Sequence, residues 1–241
     1  MFSNSRKNNN MTKGIFITGS GTGAGKTFIS ALLLRGFAKL GRRATYMKPV
    51  ETGCQLSPDK KTLVGSDALY ALKFTNHKTE PALHSPFCFE PACSPHLAAR
   101  LCGRDINICD ITAAYNTLYS KTQTEIMIVE GAGGLFVPIN NKEYMIDVIK
   151  ALNIPAVLVT TPELGTLNHT FLSLNALRQY GISIAGVVVN NSQNIERGFI
   201  YEDNIKTICK HIAPVPCLDV DYNGVSDETL MEFCNEIEPV A

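Results

Sequence analysis

Residues 15–27 have the sequence Ile-Phe-Ile-Thr-Gly-Ser-Gly-Thr-Gly-Ala-Gly-Lys-Thr, in which an apolar run passes into a glycine-rich turn. The pattern predicts a strand, a phosphate-binding loop and the start of a helix. Glycines let backbone N–H groups surround an anion, the helix adds the positive end of its dipole, and the lysine adds a charge. We therefore expect a nucleoside triphosphate to bind at Gly21, Thr22, Gly23, Ala24, Gly25, Lys26 and Thr27, with the Thr27 hydroxyl on Mg²⁺.

The glycine spacing leaves a second interpretation open. The common triphosphate loop has glycine at the position of Ser20, whereas Gly19 stands one residue earlier. The segment Gly19-x-Gly21-x-x-Ala24 also fits the looser dinucleotide fingerprint, in which an acid after the next strand holds a ribose, and Glu51 is a candidate for that acid. Because that interpretation leaves residues 25–27 without a role, the sequence favours a triphosphate.

Length and charge limit the function classes. The chain has 241 residues, with 22 lysines and arginines against 22 aspartates and glutamates. This length suits one α/β domain, which we place at residues 11–241, after a polar tail at residues 1–10 that is predicted to be disordered. The balanced charge favours neither nucleic acid nor a membrane as partner. Without a long apolar run or a signal peptide, a cytoplasmic protein is expected.

The eight cysteines are spread through apolar segments without a C-x-x-C pair. We therefore predict reduced, buried thiols and no disulfide. A zinc site is the alternative for one short span, but its spacing fits no common zinc module, and its prolines indicate an irregular loop. The four candidate ligands of that alternative are His84, Cys88, Cys93 and His96.

Strands and helices alternate along the chain, which predicts a doubly wound, mainly parallel sheet with helices on both faces, as in P-loop NTPases. Later strands are expected at residues 44–50, 126–129, 156–160, 184–189 and 215–218. Ligands bind such sheets at the carboxyl ends of the strands. Lys48 and Glu130 both fall at strand ends, and an acid in the position of Glu130 is typical of a second magnesium ligand. Asp67 falls at the start of a predicted helix. An acid that caps this helix or lies in its first turn is therefore the alternative to a functional role for Asp67.

Six motifs together resemble dethiobiotin synthetase, and the resemblance covers nearly everything after Met11. They occur in this order: Gly19-x5-Gly25-Lys26-Thr27, Met47-Lys48-Pro49-Val50-x-Thr52-Gly53-Cys54, Ser66-Asp67-Ala68, Glu90-Pro91-x-x-Ser94-Pro95-His96, Val129-Glu130-Gly131-Ala132-Gly133-Gly134 and Leu164-Gly165-x-x-Asn168-His169. The resemblance implies an ATP-dependent ligase of biotin biosynthesis that uses 7,8-diaminononanoate, CO₂ and ATP. A substrate amine forms a carbamate, the carbamate takes the γ-phosphoryl group as a mixed anhydride, and the second amine closes the urea ring.

The resemblance also implies residue roles. Lys26, Lys48 and Thr52 are expected to be catalytic, and Thr27, Asp67 and Glu130 to bind Mg²⁺. Asn190 is expected to read adenine, with Pro214 and Pro216 lining the base pocket. The substrate is expected to contact Lys48, Thr52, Glu130, Gly133, Gly165, Thr166, Leu167 and Asn168. In the family, residues 165–168 hold the substrate carboxylate from the partner subunit of a homodimer.

Two residues depart from the family's pattern, and one other class of protein remains as the alternative. Some family members carry an acid at the position of Gly23, and Glu51 is not the residue expected beside Thr52, so recognition of the substrate amines is open. A P-loop switch or partition ATPase that acts through partner binding is the alternative function. Such proteins usually carry a second lysine early in the phosphate loop, and residues 20–23 contain none.

Overall fold

The protein is described by a computed structural model that covers residues 14–59, 61–75 and 79–239. Its strands are β1 (Gly14–Gly19), β2 (Ala44–Met47), β3 (Val50–Thr52), β4 (Gln55–Leu56), β5 (Leu63–Val64), β6 (Phe87–Phe89), β7 (Ile126–Gly134), β8 (Ala156–Thr160), β9 (Ile184–Asn190) and β10 (Cys217–Val220). The predicted tail at residues 1–10 lies outside the described residues. That residues 11–241 form one domain stays a prediction.

Six strands form the central sheet, in the order β10-β9-β8-β1-β7-β2, and every neighbouring pair is parallel. The predicted doubly wound parallel sheet is confirmed. β1 lies between β7 and β8, and β7 separates it from β2. Because parallel strands end at one edge, this order brings the glycine loop and Lys48 to neighbouring strand ends. Glu130 lies within β7, opposite Ile17 of β1, because that strand continues to Gly134, beyond the end predicted at residue 129.

Helices cover both faces of the sheet. They are α1 (Lys26–Lys39), α2 (Ser66–Ala71), α3 (Pro81–His84), α4 (Pro95–Leu101), α5 (Ile108–Thr122), α6 (Met145–Leu152), α7 (Thr166–Gln179), α8 (Phe199–Ile212) and α9 (Asp227–Ile237), with a short 3₁₀ turn at Leu72–Phe74. Side chains alternate along β1, so Ile15 and Ile17 join the core beneath α1 and α9, whereas Phe16 joins the core beneath α5 and α6. A further cluster packs β8 and β9 against α7 and α8.

The strand predicted at residues 44–50 is wrong in its last part. β2 ends at Met47, and Val50–Thr52 pairs with β6 in a separate two-stranded sheet. Pro49 has no N–H to donate, so the ladder cannot continue through it. The backbone N–H of Lys48 instead donates to the carbonyl of His84 at 2.8 Å. Residues 55–65 contain the antiparallel pair β4–β5.

The last strand is also displaced from its prediction. β10 begins at Cys217, two residues after the expected start at Val215. Pro216 has no N–H for the ladder but accepts a hydrogen bond from Val187 through its carbonyl, at 2.9 Å, so the regular strand starts after it. The register then pairs Val220 with Asn190.

The prediction of eight reduced, buried thiols holds only for Cys54, Cys88 and Cys234, and Cys93 is half-buried. Cys209 and Cys217 form a disulfide between α8 and β10, with their Cα atoms 5.6 Å apart. Cys102 and Cys109 are exposed. Among the described residues, which include all four candidate zinc ligands, no three His, Cys, Asp or Glu side chains are grouped so that they could hold a metal ion. Across the described ranges, no helix has both the length and the apolar character that crossing a membrane requires.

Candidate active site

The glycine loop joins β1 to α1 at the carboxyl edge of the sheet. The Ser20 N–H donates to the carbonyl of Val159 on β8 at 2.9 Å, which ties the start of the loop to the sheet. Gly25 precedes the helix with φ of 83°, in the left-handed region. A Cβ at Gly25 would stand 2.1 Å from Nδ2 of Asn190, so only glycine allows this loop to contact β9.

Lys26 is buried where the loop enters α1. Its Nζ lies close to Gly19, because a Cβ built on that glycine would be 3.3 Å from it. Burial lowers the pKa of Lys26, the Glu130 carboxylate opposes that shift, and the neighbouring Lys48 ammonium adds to it. A buried ammonium whose charge is only partly neutralised by nearby carboxylates is suited to bind the negative charge of a phosphate.

Glu130 is the centre of a buried hydrogen-bond network, with only 1% of the residue exposed. Its Oε1 accepts from the Thr27 hydroxyl at 2.8 Å and from Lys48 Nζ at 3.0 Å. Its Oε2 accepts from the Ser30 hydroxyl at 3.1 Å and from the Tyr46 hydroxyl at 2.8 Å. These donors offset the cost of removing a carboxylate from water. Glu130 is therefore fixed in place before any ligand binds.

Lys48 joins the two acidic residues of the site. Its ammonium contacts Oδ2 of Asp67 as well as Oε1 of Glu130, and its side chain is 8% exposed. Burial lowers the pKa of Lys48, but the Glu130 and Asp67 carboxylates more than reverse this, so the net shift is upward and the side chain stays charged. Burial, followed by the charge of Glu130, raises the pKa of Tyr46 well above its ordinary value, which keeps its hydroxyl a donor.

A cavity of about 310 Å³ opens among these groups. Val50 and Ala132 contribute apolar surface to its wall. The predicted site residues that line it are Thr22, Gly23, Gly25, Lys26, Thr27, Lys48, Thr52, Asp67, Glu130 and Gly133. The structure thus brings together on one cavity most of the residues assigned to phosphate, metal and carbamate.

The oxygen atoms at the base of this cavity suit a magnesium ion. The Thr27 hydroxyl, the Asp67 carboxylate and the Glu130 carboxylate are hard donors of the kind that Mg²⁺ prefers, and all three belong to one contact network through Lys48 and Glu130. The donor set therefore fits the predicted metal.

Within one chain, this cavity is not lined by residues 165–168 or by Asn190. Residues 165–168 follow β8 at the start of α7, where Gly165 and Asn168 are exposed. Asn190 is buried behind the glycine loop, and its Nδ2 donates to the carbonyl of Ala24 at 2.9 Å. In this structure Asn190 anchors the loop.

The placement of Pro214 and Pro216 beside Asn190 is contradicted by the sheet register. Both prolines precede β10 and lie at the opposite, amino edge of the sheet, where the Pro216 carbonyl meets Val187. The segment that reaches the carboxyl edge beside Asn190 is Val220 and the turn after it, including the exposed aromatic ring of Tyr222. Pro214 would lie at the amino edge even if the strand began at residue 215, because β9 and β10 run parallel.

Sequence reasoning missed the residues that hold Glu130. Ser30 lies one turn after Thr27 on the same face of α1, a spacing that gave a usable signal. Tyr46 gave none alone, since its role depends on β2 pairing with β7, where Tyr46 stands opposite Ile128, two residues before Glu130 on the same face.

Named proteins similar to this chain include several ATP-dependent dethiobiotin synthetases BioD. The chain is 36% identical over 217 residues to the one from Thermodesulfovibrio yellowstonii, covering 87% of this chain and 88% of the relative. It is 36% identical over 200 residues to the one from Methanocaldococcus jannaschii, covering 81% and 88%. A family model described as an AAA domain matches residues 13–219.

Among solved structures, the septum site-determining protein MinD of Pyrococcus horikoshii, complexed with Mg-ADP, has a similar fold. The TM-score is 0.55 at 19% identity, covering 95% of this chain and 90% of MinD. At that identity the likeness concerns the fold alone.

Proposed function

The chain belongs to the family of ATP-dependent dethiobiotin synthetases, and from this premise we propose that it closes the ureido ring of dethiobiotin from 7,8-diaminononanoate and CO₂. It is an ATP-dependent enzyme of biotin biosynthesis that forms a carbon–nitrogen bond. The observation that carries the proposal is the single cavity that holds the glycine loop, two lysines, two carboxylates and Thr52.

The proposed chemistry has three steps. One substrate amine combines with CO₂ to give a carbamate, which Thr52 hydrogen-bonds and Lys48 neutralises. A carbamate oxygen then attacks the γ-phosphorus of ATP, ADP leaves, and a carbamic-phosphoric anhydride forms. The second amine attacks the carbonyl carbon, loses a proton, and expels phosphate that carries the former carbamate oxygen. These steps ask the protein for positioning and charge neutralisation, which Lys26 and Lys48 supply.

Magnesium is proposed to bind at Thr27, Asp67 and Glu130. When bound, the ion would neutralise charge on the nucleotide phosphates. The chain's own contribution is the fixed orientation of Glu130. Its Oε2 accepts hydrogen bonds from Ser30 and Tyr46, which leaves Oε1 on the side of the cavity, next to Thr27 and Lys48. Asn190 and the turn after Val220 are the groups we place beside the nucleotide base.

An isotope experiment tests the order of these steps. With [¹⁸O]bicarbonate supplied in a short incubation, we expect one ¹⁸O atom in the released phosphate and one in the ring carbonyl. Phosphate that takes its new oxygen from water would contradict the anhydride route.

The substrate carboxylate is proposed to bind residues 165–168 of a second copy of the chain. Two observations support a homodimer through α7. Leu172 is 61% exposed and lies one turn after Asn168 on the same helix face. Beside it is an open cavity of about 380 Å³, lined mostly by apolar residues that include Phe136 and Leu172, together with Ser20 of the glycine loop. An exposed apolar face of this kind next to a site is typical of an interface.

Replacing Leu172 by glutamate is expected to convert the dimer to a monomer, because a charge would be buried at the interface without a partner. Light scattering coupled to size exclusion should show the mass halved, and diamine-dependent turnover should fall with it. Leu56 on β4 is 58% exposed and provides the matched control, Leu56→Glu, which should stay dimeric. A dimeric Leu172→Glu protein would exclude α7 as the interface.

The switch-ATPase alternative has weaker support. The fold likeness to MinD carries no information on activity, whereas the sequence relatives are named as synthetases. A cytoplasmic location, and the expectation of neither nucleic acid nor membrane as partner, remain predictions from composition.

A further inference from the structure

Glu51 is a buried carboxylate to which the proposed reaction gives no role. It lies on β3 between Lys48 and Thr52 and is 3% exposed. Its Oε1 accepts from the backbone N–H of Asp67 at 2.7 Å, and its Oε2 accepts from the Ser85 hydroxyl at 3.0 Å. Both carboxylate oxygens are therefore committed to the protein.

The helix that carries Asp67 has no capping side chain of its own. α2 begins after Gly65, and no side chain at its N-terminal boundary position makes a capping hydrogen bond. A Cβ built on Gly65 would stand 1.8 Å from the carboxyl carbon of Glu51. Glu51 thus occupies the space next to residue 65 and gives the N–H of Asp67 the acceptor that a cap side chain ordinarily provides.

This contact bears directly on the site. Asp67 receives the hydrogen bond at its backbone, and its own carboxylate contacts Lys48. The backbone position of Asp67 sets where that carboxylate lies. Oxygen ligands held by such outer contacts bind metal more tightly than free ones, since less ordering is left to the binding step.

We propose that Glu51 is a positioning residue for magnesium: it fixes α2 so that the Asp67 carboxylate is held at the cavity before the ion binds. The inference rests on the proposed function, which assigns Asp67 to Mg²⁺. Glu51 itself touches neither substrate nor metal in this account.

The test measures binding without turnover. Calorimetric titration with a non-hydrolysable ATP analogue at a series of Mg²⁺ concentrations gives the half-saturating Mg²⁺ for analogue binding. We expect Glu51→Ala to raise that concentration by about tenfold or more. Glu51→Gln keeps a carbonyl oxygen for the N–H of Asp67 and should remain close to the unmodified protein.

Two further variants separate the possible failures. Asp67→Asn should raise the half-saturating Mg²⁺; if it does not, the metal assignment in the proposed function is wrong. If Asp67→Asn raises it and Glu51→Ala does not, only the positioning role is overturned. Ile208→Val, in the core beneath α8, is the stability control and should leave the Mg²⁺ requirement unchanged even where its melting temperature falls.

If Glu51→Ala does not fold, Gly65→Ala decides the question. Its new Cβ would collide with the Glu51 carboxylate and displace it from Asp67, so it should raise the half-saturating Mg²⁺ in the same direction. The double variant Gly65→Ala, Glu51→Gln tests whether the side-chain oxygen at residue 51 still accepts from the Asp67 N–H when residue 65 carries a Cβ. A Mg²⁺ requirement unaltered in Gly65→Ala would overturn the proposal.

Discussion

Turnover is expected to fall by about a hundredfold or more when Lys48 is replaced by alanine. Lys48 is the one described side chain that contacts both Glu130 and Asp67, and its raised pKa keeps it charged. Its removal takes away the cation proposed to stand between carbamate and γ-phosphate, and it leaves two carboxylates facing each other. The measurement is steady-state turnover at saturating diamine, ATP and Mg²⁺, with circular dichroism to show that the fold persists.

Two controls make the Lys48 result specific. Lys48→Arg retains charge but not the compact ammonium, so it should recover only part of the rate. Lys39→Ala removes an exposed lysine that pairs with Asp227 on α9, away from the site, and should retain full turnover. Near-normal turnover of Lys48→Ala would remove Lys48 from the reaction. Lys26→Ala should show a loss of the same order, because its ammonium is the proposed partner of the β- and γ-phosphates.

Replacing Glu130 by glutamine should raise the Mg²⁺ concentration for half-maximal rate by about tenfold or more. The reason is geometric as well as electrostatic. Glu130 accepts from four donors, and an amide NH₂ in place of one oxygen would face two of them without being able to accept. We expect a lower maximal rate too.

The control for Glu130 is Glu125→Gln, which neutralises a glutamate paired with Arg43 and should not alter the Mg²⁺ requirement. Tyr46→Phe removes one hydrogen bond to Oε2 and leaves the contacts of Oε1 unchanged. Its Mg²⁺ requirement should therefore lie between those of Glu125→Gln and Glu130→Gln. A Glu130→Gln enzyme with the original Mg²⁺ requirement would exclude Glu130 as a ligand.

Much of the fold and of the site could be predicted from local sequence. The glycine loop, the buried apolar strands and the alternation of helices indicate a parallel sheet, and a parallel sheet places strand ends together. That is why Lys26, Lys48 and Glu130 could be assigned to one edge without knowing any distance. The cavity that they line confirms their proximity, while their roles remain to be tested.

The sequence predictions failed where the pairing of one strand with another determines where each strand begins and ends. The prediction placed the last strand two residues early, because Val215 and Pro216 are compatible with an extended chain and only the pairing with β9 shows that the ladder begins at Cys217. The resemblance assigned Pro214 and Pro216 to the base pocket, although they stand at the start of the strand, away from the edge where ligands bind. Likewise, the separation of Val50–Thr52 from β2 depends on β6, which is distant in sequence.

The supporting residues were hidden for a related reason. Tyr46 and Glu51 carry no motif, and their contacts join segments that are 84 and 16 residues apart. The sequence marks the glutamate beside Thr52 only as an unexpected residue, whereas the structure shows that α2 begins against it. Long-range contacts of this kind follow from tertiary packing, which local patterns do not encode.

The most direct test of ring closure is phosphate release from ATP and Mg²⁺ in the presence of bicarbonate, with and without 7,8-diaminononanoate, together with the mass of the organic product. Ring closure predicts phosphate release that depends on the diamine and a product that contains the added urea carbonyl. Phosphate release at the same rate without the diamine, and no product of that mass, would contradict ring closure and place the chain with the switch ATPases.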